Sequence, residues 1–195
     1  MKIVLASASP RRRELLGTVC KSFEIIVKEV DESLGVDVHP QKGVEILAQR
    51  KGRAVAEALG EKKLEECAVI SSDTLVELDG VPLGKPLSEA DARRMLRALS
   101  GKSHNVHTGI AVHFKDKVYS GVATTGVYFK ELSDLEIDEY ISSGEPMDKA
   151  GAYGIQGLAG KFVEKIDGDF DTVVGFSLRL LSELLSRAGV DLSKL

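Results

Sequence analysis

No stretch of this sequence is apolar for long enough to span a bilayer. The opening run, Met1 to Ala6, is too short for a signal-peptide core and gives way at once to Ser9-Pro10-Arg11-Arg12-Arg13. A soluble, cytoplasmic protein is the expectation. Cysteine is scarce: Cys20 and Cys67 stand far apart, form no Cys-x-x-Cys pair and have no histidine at metal-ligand spacing, which predicts two free thiols. Neither a Walker loop nor a Rossmann fingerprint is present, and there is no repeat, low-complexity tract or linker to mark a boundary. The 195 residues are therefore expected to form one domain, with room for two small lobes. Excess positive charge is missing too. With 26 basic against 30 acidic residues the net charge is -4, which argues against the coated surface that grips duplex nucleic acid. Any cationic chemistry must be local. Apolar side chains make up 43% of the chain, ample for a core that folds alone.

The stretch from Ser71 to Pro86 organises the rest. It sets Asp73 directly after the apolar run Ala68-Val69-Ile70 and reaches Lys85 twelve residues later. Ala68 to Ser72 is predicted as a strand, with Asp73 where the carboxyl ends of strands in open α/β sheets present ligand groups. Leu75, Val76 and Leu78 continue extended into Asp79-Gly80, a two-residue hairpin signal, so Asp79 is assigned to the turn. Gly84-Lys85-Pro86 ends the hairpin. Ser88 with Asp91 has the form of a capping box opening a helix that runs to Gly101.

Upstream, Ile3 to Ala6 reads as a short buried strand. Ser9 offers an N-cap with Pro10 at the first helical position, and Gly17 is expected to close the helix. Arg11, Arg12 and Arg13 put positive charge where the helix dipole favours anions. An anion held by the first-turn N–H groups, the Ser7 and Ser9 hydroxyls and the guanidinium forks would reverse that penalty; a solvated basic turn is the plainer reading. Phe23 to Val30 alternates as a strand and ends in Asp31-Glu32, two acids that alone are either solvated or metal-binding. Apolar positions 44, 47, 48, 55 and 59 form a helical stripe stopped by Gly60. Lys51 falls inside that stripe, so its ammonium must find an anion or snorkel out.

Downstream, Val106 to Phe114 and Val118 to Phe129 are predicted as a long antiparallel pair. His39, His104, His107 and His113 show no ligand grouping: 107 and 113 share a strand face but lie about 20 Å apart at strand rise. Ser133 and Glu136 form a second capping box, for a helix that stops at Gly144. Glycines at 144, 151, 154, 157 and 160 then punctuate a loop in which Tyr153, Ile155 and Leu158 imply internal packing. Within it, the Gln156 amide offers donor and acceptor together, as reading a base edge requires. Phe162 to Ile166, the Asp167-Gly168-Asp169 turn and Thr172 to Val174 suggest a closing hairpin, before an amphipathic helix from Leu178 ended by Gly189.

The residues alone thus describe a mixed α/β domain with cations at Arg11, Arg12, Lys51 and Lys85, acids at Glu32 and Asp73, and a glycine-rich loop. That is a kit for phosphoryl or nucleotidyl chemistry, in which carboxylates hold Mg2+ or Mn2+ and cations neutralise phosphates.

Four blocks carry a closer likeness: residues 5–16 (Leu-Ala-Ser-Ala-Ser-Pro-Arg-Arg-Arg-Glu-Leu-Leu), Ser-Ser-Asp-Thr with Gly-Lys-Pro (71–86), Leu-Ser-Gly-Lys-Ser-His (99–104), and residues 143–157 from Ser-Gly-Glu-Pro to Gly-Ile-Gln-Gly. In this order they resemble the Maf family of nucleoside triphosphate pyrophosphatases, a name also associated with septum formation. The resemblance implies a mixed, elongated sheet with flanking helices, two lobes around a central cleft as in the inosine triphosphatase (HAM1-like) fold, and cleavage of a nucleoside triphosphate to monophosphate and pyrophosphate. It implies Asp73 as the catalytic acid-base residue, Ser7, Arg12, Lys51 and Lys85 as phosphate contacts, and Glu32 with Asp73 as ligands of a divalent cation, Mg2+ or Mn2+. Specificity in the family follows three positions, here Arg11, Thr74 and Gln156, a combination similar to the branch acting on dTTP and UTP, including modified pyrimidine nucleotides. The 7-methyl-GTP branch has tryptophan at the arginine position. A Gln amide suits the O4 and N3–H edge of uracil or thymine, and leaving it unmet would penalise another base. Because a metal-bound carboxylate loses basicity, Asp73 either accepts the proton of water or positions water through the metal. A homodimer is implied by the family alone, and no nucleic-acid or membrane partner is expected. A nucleotide-binding regulator of cell division and a pyrophosphatase for another nucleotide are the rival readings.

Overall fold

The computed structural model describes residues 1–35 and 38–191. Its elements, in chain order, are β1 (Lys2–Leu5), α1 (Pro10–Val19), β2 (Glu24–Ile25), α2 (Pro40–Leu59), α3 (Glu61–Leu64), β3 (Cys67–Leu78), β4 (Val81–Leu83), α4 (Glu89–Leu99), β5 (Ser103–Phe114), β6 (Lys117–Phe129), α5 (Asp134–Ser142), β7 (Val163–Asp167), α6 (Phe170–Val174) and α7 (Leu178–Arg187). Short 3-10 turns fill the segment between α5 and β7. Among the described residues, seven strands form a mixed sheet ordered β2-β1-β3-β5-β6-β7, with β4 beside β3. Strand β1 runs parallel to β2 and β3, whereas β4 and β7 lie antiparallel to β3 and β6. The mixed α/β class expected from the sequence is the class formed.

The chain divides into two compact units. The first holds Met1–Asp73, Thr108–Ala123 and the segment from Gly175 onward; the second holds Thr74–His107 and Thr124–Val174. In the first unit the two-residue period of a strand sorts side chains to opposite faces. Ile3 and Leu5 join Ile70, Ile110, Phe176 and Leu181 in one cluster, while Val4 and Ala6 join Val55, Ala56 and Val69 in another. Helix α2 presents Val44, Leu47, Ala48, Val55 and Ala56 as its buried stripe. In the second unit Val76, Leu78, Val106, Val127 and Phe129 pack with Met95, Leu96 and Leu99 of α4 and with Ile137, Tyr140 and Ile141 of α5.

The turn and cap signals act as anticipated in several places. Asp79 and Gly80 both take positive φ (51° and 80°), and Leu78 pairs with Val81 across a primed two-residue turn. Ser133 and Glu136 complete a reciprocal capping box. Ser88 accepts from the Asp91 N–H, but the Asp91 carboxylate goes instead to the Leu87 N–H and to Arg94, so only half of that box exists.

Five expectations are corrected. Helix α1 runs past Gly17 to Val19, because Gly17 borders open space where a missing side chain costs only propensity. The strand expected over Phe23 to Val30 shrinks to Glu24–Ile25, since β1 stops at Leu5 and offers no further parallel partner. Strand β3 does not end at Ser72; it continues unbroken to Leu78, so Asp73 lies inside a twelve-residue strand. The second half of the closing hairpin is helix α6, which buries Thr172 and Val174 in spite of their β-branched side chains. Leu158, expected to pack inside its loop, is exposed.

Candidate active site

In the first unit a single ammonium gathers two acids. Lys51, one turn beyond Leu47 on α2, places Nζ 2.6 Å from Asp73 Oδ1 and 2.6 Å from Glu32 Oε1. The Lys51 and Asp73 side chains are 19% and 13% exposed, and Glu32 is 61% exposed. Of the two fates open to Lys51 from sequence, anion pairing is the one realised. The segment bearing Glu32 is tied down from both sides. Arg50 Nη1 donates to the carbonyls of Asp31 (3.0 Å) and Ser33 (2.7 Å), and the Asp31 carboxylate accepts from the N–H and hydroxyl of Ser33 (2.8 and 2.7 Å). Those hydrogen bonds from Ser33 hold the Asp31 carboxyl below its ordinary range. Consecutive residues of α2 thus do different work: Arg50 grips the backbone around Glu32, and Lys51 grips its carboxylate.

Arg12 lies beside this cluster. Its guanidinium donates to the Ser72 carbonyl (2.7 Å), to the Gly175 carbonyl (3.0 Å) and, at 3.4 Å, to Ser7 Oγ, while Ser72 Oγ donates to the same Gly175 carbonyl (3.0 Å). Burial lowers the Arg12 pKa; Asp73 opposes that shift, Arg11 adds to it and Glu32 opposes it. Arg12 therefore fastens the β1–α1 turn to β3 beside Asp73 and to the entrance of α7. Ser7 Oγ also accepts from the Ser9 N–H (3.2 Å), and the Ser9 side chain makes no capping bond to the first turn of α1. Arg11 is half-buried. The first unit thus brings together Ser7, Arg12, Glu32, Lys51 and Asp73.

The other three sequence-predicted residues belong to the second unit. Thr74 is half-buried on β3, Lys85 is exposed in the loop after β4, and Gln156 is exposed in the turn between Gly154 and Gly157. The glycine-rich segment is packed against its own unit: the Gly151 N–H donates to the Gly84 carbonyl (3.0 Å), and Gly151 sits against Val76. Sequence reasoning named Asp31 only as a solvated or metal-binding acid and did not foresee its bonds to Ser33, and it missed Arg50 and Ser72, along with Tyr140 and Glu145 beneath the Gln156 turn. The partners of Arg50, Asp31 and Ser72 are backbone carbonyls or near neighbours, which residue type alone does not reveal.

Asp73 and Glu32 suit a hard divalent cation of the kind held by one or two carboxylates together with substrate phosphates. Their oxygens converge on one positive charge, and among the described residues no cluster of three or more potential ligands forms an all-protein cage. The four histidines join no such cluster either. His107 is instead bonded to Glu77 and Thr124, each at 2.8 Å, and His104 to Tyr153 at 2.8 Å.

The family model for Maf-like proteins matches residues 2–188. The chain belongs to the Maf family. Among its Maf relatives, a Bacillus cereus (strain AH187) protein named dTTP/UTP pyrophosphatase is 46% identical over 98% of both chains. Proteins of the same name from Bacillus thuringiensis subsp. konkukian (strain 97-27) and Bacillus anthracis (strain CDC 684 / NRRL 3495) are each 45% identical over 98% of both chains. The Ham1 protein of Staphylococcus aureus is similar in structure, with a TM-score of 0.50 and 17% identity over 97% of this chain and 98% of that one. That likeness bears on the fold alone, and it agrees with the HAM1-like sheet expected of a Maf chain. Among the described residues, no helix of this Maf protein is long and apolar enough to cross a membrane.

Proposed function

We propose that this protein hydrolyses dTTP and UTP, and modified pyrimidine nucleoside triphosphates, to the monophosphate and pyrophosphate. The observation that carries the reading is full-length identity of 45–46% to relatives named for that activity. The geometry of the first unit supports it. Lys51 and Arg12 supply positive charge beside Asp73, as neutralising a triphosphate requires, with Ser7 as a further phosphate contact. Lys85 is proposed as a phosphate contact from the family resemblance alone. Asp73 holds and orients the water that attacks the α-phosphorus, and the bond from that phosphorus to the bridging oxygen breaks to release pyrophosphate. Glu32 and Asp73 would hold Mg2+ or Mn2+, which when bound stabilises charge on the leaving pyrophosphate. Arg11, Thr74 and Gln156 select the pyrimidine. The cytoplasm is the compartment we propose for the reaction.

A panel of nucleoside triphosphates, assayed with and without Mg2+ or Mn2+ and with pyrophosphate measured separately from orthophosphate, tests the reading. The expected result is pyrophosphate from UTP and dTTP, abolished by chelation. Release of orthophosphate alone, or equal turnover of GTP, would refute it.

A further inference from the structure

The turn that carries Gln156 is clamped at both ends by one side-chain pair. The Gly154 N–H donates to Tyr140 Oη (3.1 Å), and the Leu158 N–H donates to Glu145 Oε2 (3.0 Å). The pair is itself joined, since Tyr140 Oη donates to Glu145 Oε1 at 3.0 Å. Gln156 sits midway between the two tied N–H groups. Tyr140 is a core residue of α5, packed edge-on against Phe162 and only 2% exposed, so the clamp stands on a rigid base. Burial pushes the Tyr140 hydroxyl well above its ordinary range, which keeps it a donor to Glu145 at any working pH. The turn is closed over the carboxylate: a Cβ on Gly157 would fall on Glu145 itself, which accounts for the glycine there. Glu145 is fixed in turn at the start of its own segment, where its N–H donates to Ser143 Oγ (3.2 Å) and its carbonyl accepts from Lys149 Nζ (3.3 Å).

We propose that Glu145, together with Tyr140, is a positioning residue for base recognition, acting through Gln156 and touching no part of the nucleotide itself. This rests on the proposed pyrimidine selectivity. An exposed glutamine in a glycine-flanked turn has many rotamers and backbone states to lose, and it reads a base edge only when the turn beneath it is held. Two N–H···O bonds at 154 and 158, converging on one joined hydroxyl–carboxylate pair, supply that hold. The effect belongs in discrimination between bases and in KM, with the chemical step left nearly unchanged.

The wild-type panel described above comes first, because absence of pyrimidine-selective pyrophosphate release defeats the functional reading and leaves nothing for the clamp to serve. Given selectivity, Glu145→Ala is expected to raise KM for UTP about tenfold and to lower the ratio of kcat/KM for UTP over GTP by a similar factor, the effect of one lost, well-oriented hydrogen bond. Glu145→Gln, which keeps an acceptor for the Leu158 N–H, should recover most of both. Tyr140→Phe keeps the core packing and should reproduce the Glu145→Ala shift more mildly. A purely structural role lowers the amount of active enzyme equally for every nucleotide and leaves the ratio unmoved. The deciding experiment is the double-mutant cycle with Gln156→Ala: a double variant no less selective than Gln156→Ala alone supports action through Gln156. Additive losses, or an unchanged UTP-to-GTP ratio in both Glu145→Ala and Tyr140→Phe, would overturn the proposal while leaving the pyrophosphatase reading intact.

Discussion

Lys51 Nζ lies 2.6 Å from Asp73 Oδ1, joining the middle of helix α2 to the middle of strand β3 within one compact unit. The pair is mostly shielded from water, and Glu32 completes a triad of one positive and two negative charges. A carboxylate held this way is oriented and paired before any substrate arrives, and the lysine competes for the oxygens a divalent cation would use.

Replacing Lys51 by Met keeps the stem packed on α2 and removes only the ammonium. Asp73 is then left without its partner in a largely buried place, so unfolding by urea is expected to show a loss of about 1–3 kcal/mol. Pyrophosphate release should fall on the order of a hundredfold, through lost stabilisation of phosphate charge. Mn2+ binding without nucleotide, measured by calorimetry, should strengthen because the competing cation is gone. Weaker Mn2+ binding in the variant would contradict this account of the pair.

Asp73→Asn retains the shape of the side chain and an oxygen facing Lys51, while Glu32 still pairs the ammonium. Thermal unfolding should shift by no more than a few degrees, corresponding to about 1 kcal/mol or less. Turnover of UTP should drop by a factor on the order of a thousand or more, since the proposed handling of water depends on the carboxylate. Activity near wild type would remove Asp73 from the chemistry.

What was legible in the sequence was local. The buried run at Ile3, the stripe of α2, the Asp79-Gly80 turn and the Ser133–Glu136 box each depend on residues within a few positions of one another, and each formed. The misreadings share another cause. Whether Phe23 to Val30 pairs depends on the length of β1, and whether Thr172 to Val174 coils depends on which burial the surrounding unit offers. The acids and cations of the candidate site could be named from their types and from the family resemblance. Their pairing could not: Arg50 donates to carbonyls 17 and 19 residues away, and Arg12 reaches carbonyls 60 and 163 residues away. Such bonds leave no mark on side-chain chemistry at the receiving end.

Gly109 tests the packing of α2 on the sheet. A Cβ there would strike the backbone of Val44 and Glu45, which cannot swing aside as a side chain could. Gly109→Ala should destabilise the protein by about 2–4 kcal/mol, at or above the usual cost of overpacking a core. Gly17→Ala, facing open space on α1, should be neutral or stabilise by up to about 1 kcal/mol. Chemical denaturation of the two variants side by side separates close approach from propensity.

Acid should weaken the fold through His104 and His113. Burial pushes both imidazoles down to about 4, and both rings are nearly inaccessible to solvent. In the unfolded chain these groups take up protons near their ordinary value of about 6.5, so between roughly pH 6.5 and 4 the unfolded state binds more protons than the folded one. Stability is therefore intact above pH 6.5 and falls as the pH drops toward 4, by up to about 3 kcal/mol for each histidine. His104 sits between Phe129 and Tyr153 with its Nε2 on the tyrosine hydroxyl, so His104→Gln, which cannot gain a proton, should flatten part of that decline. Urea midpoints recorded at pH 7.5, 6, 5 and 4.5 provide the check; equal slopes in wild type and His104→Gln would show that this ring does not govern acid sensitivity.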